Sequence, residues 1–216
     1  MGFWSKLFGK KQEDITASNF PEYQQVKIFN NEFATLLSAD KYIARSDYIH
    51  LIDTYRSTYE FFNNNKKANT LQYYCNTNKL DEAIILSFLN SYASILNLQK
   101  GSAIVNEHNE SYIQKHLLSD KQYLDNILSE VDPKIILDEE QRRVILSDED
   151  YSLVIAGAGA GKTTTVAAKV RYLVEKKGID PKQILVISFT NKAVGELKEK
   201  INEGLLIPCP ITTFNS

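Results

Sequence analysis

Apolar and polar residues alternate with a helical period along most of the first 131 positions. Val26, Phe29, Phe33, Leu36 and Leu37 fall on one face of a helix, and Tyr48, Leu51, Ile52, Tyr55, Tyr59 and Phe62 recur at the same spacing. Ile84, Ile85, Phe88, Leu89, Tyr92, Ile95 and Leu96 form another stripe. Tyr112, Ile113, His116 and Leu117 begin a further one, followed by Tyr123, Leu124, Ile127 and Leu128. Stripes of this kind predict amphipathic helices that bury one side. Breaks are expected at Pro21, at the polar run 63–67 and near Gly101, and Ser119 or Asp120 is placed to cap a new helix. The many Tyr and Phe residues here are expected to be packing groups rather than a base-stacking platform.

The texture changes after Pro133. Residues 138–145 predict a short helix opened by acidic side chains, which suit a helix N-terminus. An apolar run follows at 152–156, then a glycine-rich turn and a helix over about 161–176. A second apolar run covers 183–189, a helix 191–202, and a last short run begins near Ile211. Strand, helix, strand, helix, strand is the α/β pattern of a parallel sheet with right-handed crossovers.

Composition narrows this picture. The chain has 216 residues, of which 43% are hydrophobic, enough for a core and too many for a disordered chain. A formal net charge of -2 leaves any nucleic-acid contact to a local patch or groove. Cys75 and Cys209 follow no metal-ligand spacing and read as buried thiols of a reducing compartment. His50, His108 and His116 have no cysteine or carboxylate cluster that would complete a metal site. No apolar run approaches the roughly 20 residues that span a bilayer, and no signal peptide is visible, so a cytoplasmic location is expected. At the start, Met1, Phe3, Trp4, Leu7 and Phe8 alternate with Lys6, Lys10 and Lys11. Such an amphipathic leader, over residues 1–13, is suited to weak contact of residues 1–11 with an anionic membrane surface, or to docking on the protein itself.

The most informative chemistry is at 156–163, which reads Ala156, Gly157, Ala158, Gly159, Ala160, Gly161, Lys162, Thr163. A phosphate-binding loop has Gly, four residues, then Gly-Lys-Ser/Thr; here the first position is Ala156. Gly157, Gly159 and Gly161 let backbone amides turn inward around phosphate oxygens, and the small Ala158 and Ala160 leave room. The following helix points its N-terminus at the anion. Lys162 is then placed for the β and γ phosphates and Thr163 for Mg²⁺, which makes ATP the expected nucleotide.

The flanks extend the pattern. Upstream stand Leu137, Asp138, Glu139, Glu140, Gln141, Arg142 and Arg143; downstream come Phe189, Thr190, Asn191, Lys192, Ala193 and Glu196; Thr213, Phe214, Asn215 and Ser216 follow. In this order, residues 137–216 resemble the N-terminal part of superfamily 1 DNA helicases of the UvrD/Rep type. The resemblance implies an α/β P-loop NTPase fold, RecA-like and with an incomplete parallel sheet, preceded by an all-α region. Together with the patterns before it, this divides the chain into the leader 1–13, a helical region 14–133 and a partial ATP-binding domain 134–216. The resemblance implies that Gln141 reads the adenine edge, for which a side-chain amide offers both a donor and an acceptor. It places Phe189, Thr190 and Asn191 against single-stranded DNA, and Phe214 and Asn215 at a second DNA-contacting position.

There are departures. The family usually has His at Asn215, and often Arg at Thr164, where a changed side chain weakens nucleotide contacts. Hydrolysis needs one carboxylate for Mg²⁺ and one to activate water, at the end of a later strand. After Thr163 the acidic residues are Glu175, Asp180, Glu196, Glu199 and Glu203, and none ends an apolar strand; Arg171 is the last arginine. A second motor domain is not in the sequence. These gaps predict a truncated product or a fragment of a longer helicase, inactive as an ATPase by itself, with a sheet edge or face that favours limited solubility or self-association unless the helical half covers it. The alternative is a stand-alone, catalytically inactive nucleotide- or DNA-binding module. A third reading, an unrelated P-loop ATPase, is disfavoured by residues 189–193.

Overall fold

The computed structural model describes residues 20–96, 103–157 and 159–214. The amphipathic leader, its membrane contact and the break near Gly101 lie outside these residues, as do Ala158 and Asn215. The chain divides into two units, with the boundary between Tyr112 and Ile113.

The first unit is helical. Helix α1 (Pro21–Ser38) starts on a proline, which needs no hydrogen-bond acceptor in the first turn. In the first turn of helix α2 (Arg45–Thr54) the Asp47 carboxylate accepts the Ala44 N–H at 2.9 Å. Helices α3 (Arg56–Lys67), α4 (Leu71–Asn78) and α5 (Glu82–Leu96) follow, and α6 (Ala103–Ser119) crosses into the second unit. Phe29 lies at the centre of the core. Its ring meets Phe33 at 5.6 Å, Tyr55 at 5.3 Å edge-on and Phe88 at 4.9 Å edge-on. Tyr92 is also buried and donates its hydroxyl to the Ile52 carbonyl at 2.6 Å. The predicted stripes therefore close on one another, and these aromatics are packing groups.

Two boundaries differ from the sequence pattern. The run 48–62 is interrupted at Tyr55, which leaves helical geometry for one residue while its ring stays in the core. The polar run 63–67 does not break the chain: α3 continues to Lys67, with Lys66 and Lys67 in its last turn, where cations suit the helix dipole. The stop comes at Asn69, in left-handed conformation at φ 55°.

The second unit contains the rest of α6 and then α7 (Lys121–Asn126), α8 (Glu139–Leu146), α9 (Lys162–Glu175), strand β1 (Val186–Ser188), α10 (Asn191–Lys198) and strand β2 (Ile211–Thr213). Asp120 precedes α7 but makes no capping hydrogen bond; its carboxylate instead meets the His116 Nδ1 at 2.9 Å. Helices α7 and α8 are joined by Arg142, 2.7 Å from Asp125. Arg171 on α9 bridges Glu130 at 3.0 Å and Glu175 at 2.9 Å and donates to the Ile127 carbonyl at 3.1 Å. Strands β1 and β2 pair in parallel, Val186 with Ile211 and Ser188 with Thr213.

The apolar run 152–156 is not a strand. It has no ladder partner, and Leu153 and Ile155 are 88% and 91% exposed. A strand exists only through its neighbour, and the two strands among the described residues pair with each other. The described part is thus mostly helical with a two-stranded parallel sheet. Among the described residues, no helix is long and apolar enough to cross a membrane. Cys75 and Cys209 are buried thiols, and burial pushes both above the usual thiol range.

Candidate functional site

Helix α8 begins with a reciprocal cap. The Asp138 carboxylate accepts the Gln141 N–H at 2.8 Å, and the Gln141 Oε1 accepts the Asp138 N–H at 3.0 Å. This fixes the Gln141 side chain, whose Nε2 donates to the Ala160 carbonyl at 3.2 Å. The amide so bound keeps one further donor and one further lone pair.

The loop beyond it depends on two glycines in left-handed conformation, Gly159 at φ 79° and Gly161 at φ 74°. Gly161 is also the N-cap of α9. A Cβ there would lie 2.6 Å from the Gln141 Nε2, so the amide occupies the space that only glycine leaves. At Gly157 a Cβ would meet nothing within 4 Å. The first helical bond of the turn runs from the Thr165 N–H to the Gly161 carbonyl at 2.8 Å, and the first N–H groups of a helix have no partner within it. The Lys162 ammonium donates to the carbonyls of Gly157 at 2.6 Å and Ala156 at 3.3 Å.

Gln141, Ala156, Gly157, Ala160 and Lys162 line one cavity of about 720 Å³ between α8, the loop, α9 and β1. Its walls are apolar, with Val144, Val154, Val166 and Ile187 among them. Thr163 and Thr164 sit in the first turn of α9, outside the lining. A mostly apolar cleft with a few convergent polar groups is the usual form of a small-molecule site.

Two contacts here escape the sequence pattern. Lys169 reaches back to α8 and donates to the carbonyls of Ile145 at 2.8 Å and Ser147 at 2.5 Å. Its position two helical turns beyond Lys162 puts both lysines on one face of α9 and is the signal that would have found it. Lys177 adds an ion pair to Asp148 at 3.0 Å.

The other expected positions lie at the C-terminal end of the sheet. The parallel register continues past Ser188 and Thr213, with the Phe214 N–H donating to the Ser188 carbonyl at 3.1 Å. Phe189 and Phe214 are thereby brought side by side, stacked with ring centroids 6.2 Å apart and 90% and 72% exposed. The Thr190 hydroxyl caps α10 by accepting the Ala193 N–H at 3.1 Å, and Asn191 follows as the first helical residue. Among the described residues, no group of three or more His, Cys, Asp or Glu is arranged to hold a metal.

Compared with known proteins, residues 137–215 match the UvrD/REP helicase N-terminal domain. This segment is the front part of a UvrD-type superfamily 1 helicase domain. The chain is 39% identical over 97 residues to the probable DNA helicase II homolog of Mycoplasma capricolum, a match covering 43% of this chain and 12% of that protein. Against the ATP-dependent DNA helicase UvrD1 of Mycobacterium leprae it is 40% identical over 65 residues, 30% of this chain and 8% of the relative. The ATP-dependent DNA helicase PcrA of Staphylococcus aureus gives 37% over 67 residues, 31% and 9%. The matched stretch thus spans about a tenth of the length of these relatives. The UvrD-type segment contains the capped helix α8, the glycine loop, the cavity and the stacked phenylalanines.

Proposed function

We propose that this chain binds Mg²⁺-ATP as the front portion of an ATP-dependent DNA helicase, on a RecA-like P-loop domain. One observation carries the reading: Gln141 and Lys162 line a single cavity, and the Gln141 amide meets the loop before Lys162 in the space that the left-handed Gly161 leaves open. The amides at the start of α9 would take the phosphates, and the Lys162 ammonium would leave its loop carbonyls for the β and γ oxygens. Thr163 would offer its hydroxyl to Mg²⁺, and Gln141 its spare donor and acceptor to adenine. In a complete motor, ATP supplies the phosphoanhydride whose cleavage drives movement along DNA. The relatives named DNA helicases support this origin.

A second reading, a catalytically inactive nucleotide- or DNA-binding module, has its own support. The acidic residues among the described cavity lining are Asp138 and Glu140, both at the start of α8 rather than at a strand end. Neither is suited to hold Mg²⁺ and activate water beside Thr163. Binding without turnover is therefore expected of the polypeptide on its own.

The test is titration of the full chain and of Lys162→Ala with a fluorescent ATP analogue and Mg²⁺, with ATP turnover read with and without single-stranded DNA. Loss of one charge-assisted phosphate contact should weaken binding by about ten- to a hundredfold. Equal affinities of the two proteins would remove Lys162 from the site. Turnover stimulated by DNA would overturn the inactive reading.

A further inference from the structure

Helix α8 is only eight residues long and presents Gln141 from its first turn. A helix this short has little stability of its own and is placed by what grips its ends. At the N-terminal end the Gln141 amide grips Ala160, beside the Arg142–Asp125 ion pair. At the other end an ammonium binds the helix carbonyls, with the Lys177–Asp148 ion pair just beyond. The Lys169 Nζ lies 2.8 Å from the Ile145 oxygen and 2.5 Å from the Ser147 oxygen, at the end where carbonyls lack helical partners and a cation suits the dipole. We propose that Lys169 is a positioning residue for nucleobase recognition, fixing where Gln141 stands by holding the C-terminus of α8 against α9. This deepens the nucleotide reading above and rests on it.

Three features point beyond plain packing. Lys169 lines the same cavity as Gln141 and Lys162, so the phosphate lysine and the clamp share one face of one helix. Ile145 and Leu146, beside the clamp, are fully buried, so the clamped end is immobilised by packing as well as by charge. The ammonium is also kept in an unfavourable place. Burial pushes its pKa down to about 8, against the pull of Asp148 and with the help of neighbouring Lys177. Burying a cation for packing alone is poorly rewarded, since an apolar side chain of similar length would fill the space at lower cost. What an apolar side chain cannot do is bind two carbonyls and set the register of α8 along α9. Recognition of an adenine edge tolerates only about 0.5 Å of misplacement, which makes that register matter.

The test compares ribose-labelled fluorescent ATP and GTP analogues on the full chain, for the wild type, Lys169→Met and Lys169→Arg. The wild type should prefer ATP. Lys169→Met should lower the ATP-to-GTP preference by about five- to tenfold through weaker ATP binding alone, and Lys169→Arg should restore it. Tripolyphosphate affinity should not change, because Lys162 and the loop amides are untouched. A wild-type preference that Lys169→Met leaves intact overturns the positioning role and spares the nucleotide reading. A wild type that binds ATP and GTP equally overturns adenine recognition by Gln141, and the proposal with it. If Lys169→Met does not fold, judged by circular dichroism, Lys169→Gln carries the same comparison.

Discussion

The Gln141 carboxamide nitrogen sits 3.2 Å from the Ala160 carbonyl and in the space where a side chain on Gly161 would begin. Helix α8 and the glycine loop are thus built around each other. The loop needs glycine at 161 for its left-handed turn, and the missing Cβ is what admits the amide. A residue expected to read a base and a loop expected to hold phosphates are in direct contact.

Gly161→Ala tests that coupling. An L-residue at φ 74° costs about 1–2 kcal/mol, and the new methyl displaces the Gln141 amide, the movable end of a flexible side chain. The fold should survive with a urea midpoint lowered accordingly, while ATP loses its advantage over GTP. Gly157→Ala meets nothing within 4 Å and should leave stability within about 0.5 kcal/mol. Equal urea midpoints for the two variants would remove the special role of Gly161.

What the sequence makes legible here is whatever depends on local spacing. The aromatic stripes of the first unit predict helices because each side chain repeats with the helical period, and those rings do meet around Phe29. The glycine loop and the Asp138–Gln141 cap are equally local. The one-residue interruption at Tyr55 is invisible, since its ring keeps the phase of the stripe. Helix α4 escapes because eight residues with Leu71 and Cys75 buried give too short a period to count. The run 152–156 shows the opposite failure. Its apolar character is plain, but a strand is a relation between distant segments and cannot be read from one of them. The helical spacing from Lys162 puts Lys169 on the site's face, but its partners are carbonyls more than twenty positions upstream and show nothing in the local pattern.

Asn109 imitates a peptide group. Its Oδ1 accepts the Ile43 N–H at 2.8 Å and its Nδ2 donates to the Ile43 carbonyl at 2.9 Å, all buried. Asn109→Ala leaves both backbone groups without partners and should cost about 2–4 kcal/mol in urea denaturation of the first unit. Asn109→Asp keeps only the acceptor and should fare little better. A loss under about 0.5 kcal/mol would mean that water replaces the side chain.

Tyr55 gives the first unit a dependence on alkaline pH. Burial, and then the hydrogen bond to Glu32 at 3.0 Å, pushes its phenol from 10.0 up to about 12. A raised folded pKa means that the folded state holds the proton more tightly than the unfolded chain does. The stabilisation is complete below pH 10 and is lost as pH rises from there through about 12. Urea melts across that window should show a falling stability that is shallower in Tyr55→Phe. Identical slopes would assign the alkaline loss to other groups.

The stacked pair Phe189 and Phe214 gives the most direct test of a nucleic-acid role. Two rings this exposed bury too little to stabilise the fold, so Phe189→Ala with Phe214→Ala should leave the urea midpoint almost unchanged. Stacking a base on such a ring is worth about 1–3 kcal/mol, so each single substitution should weaken binding of an oligothymidylate roughly five- to 150-fold. Because every base has a stacking face, oligothymidylate and mixed-sequence strands should suffer alike. Lys162→Ala should bind the same strands as the wild type, since Lys162 belongs to the loop rather than to the sheet end. Fluorescence anisotropy at two salt concentrations separates the contributions: a stacking platform keeps most of its affinity as salt rises, whereas a purely electrostatic contact does not. Unchanged affinity in the double variant would make the pair an apolar surface with no part in strand binding.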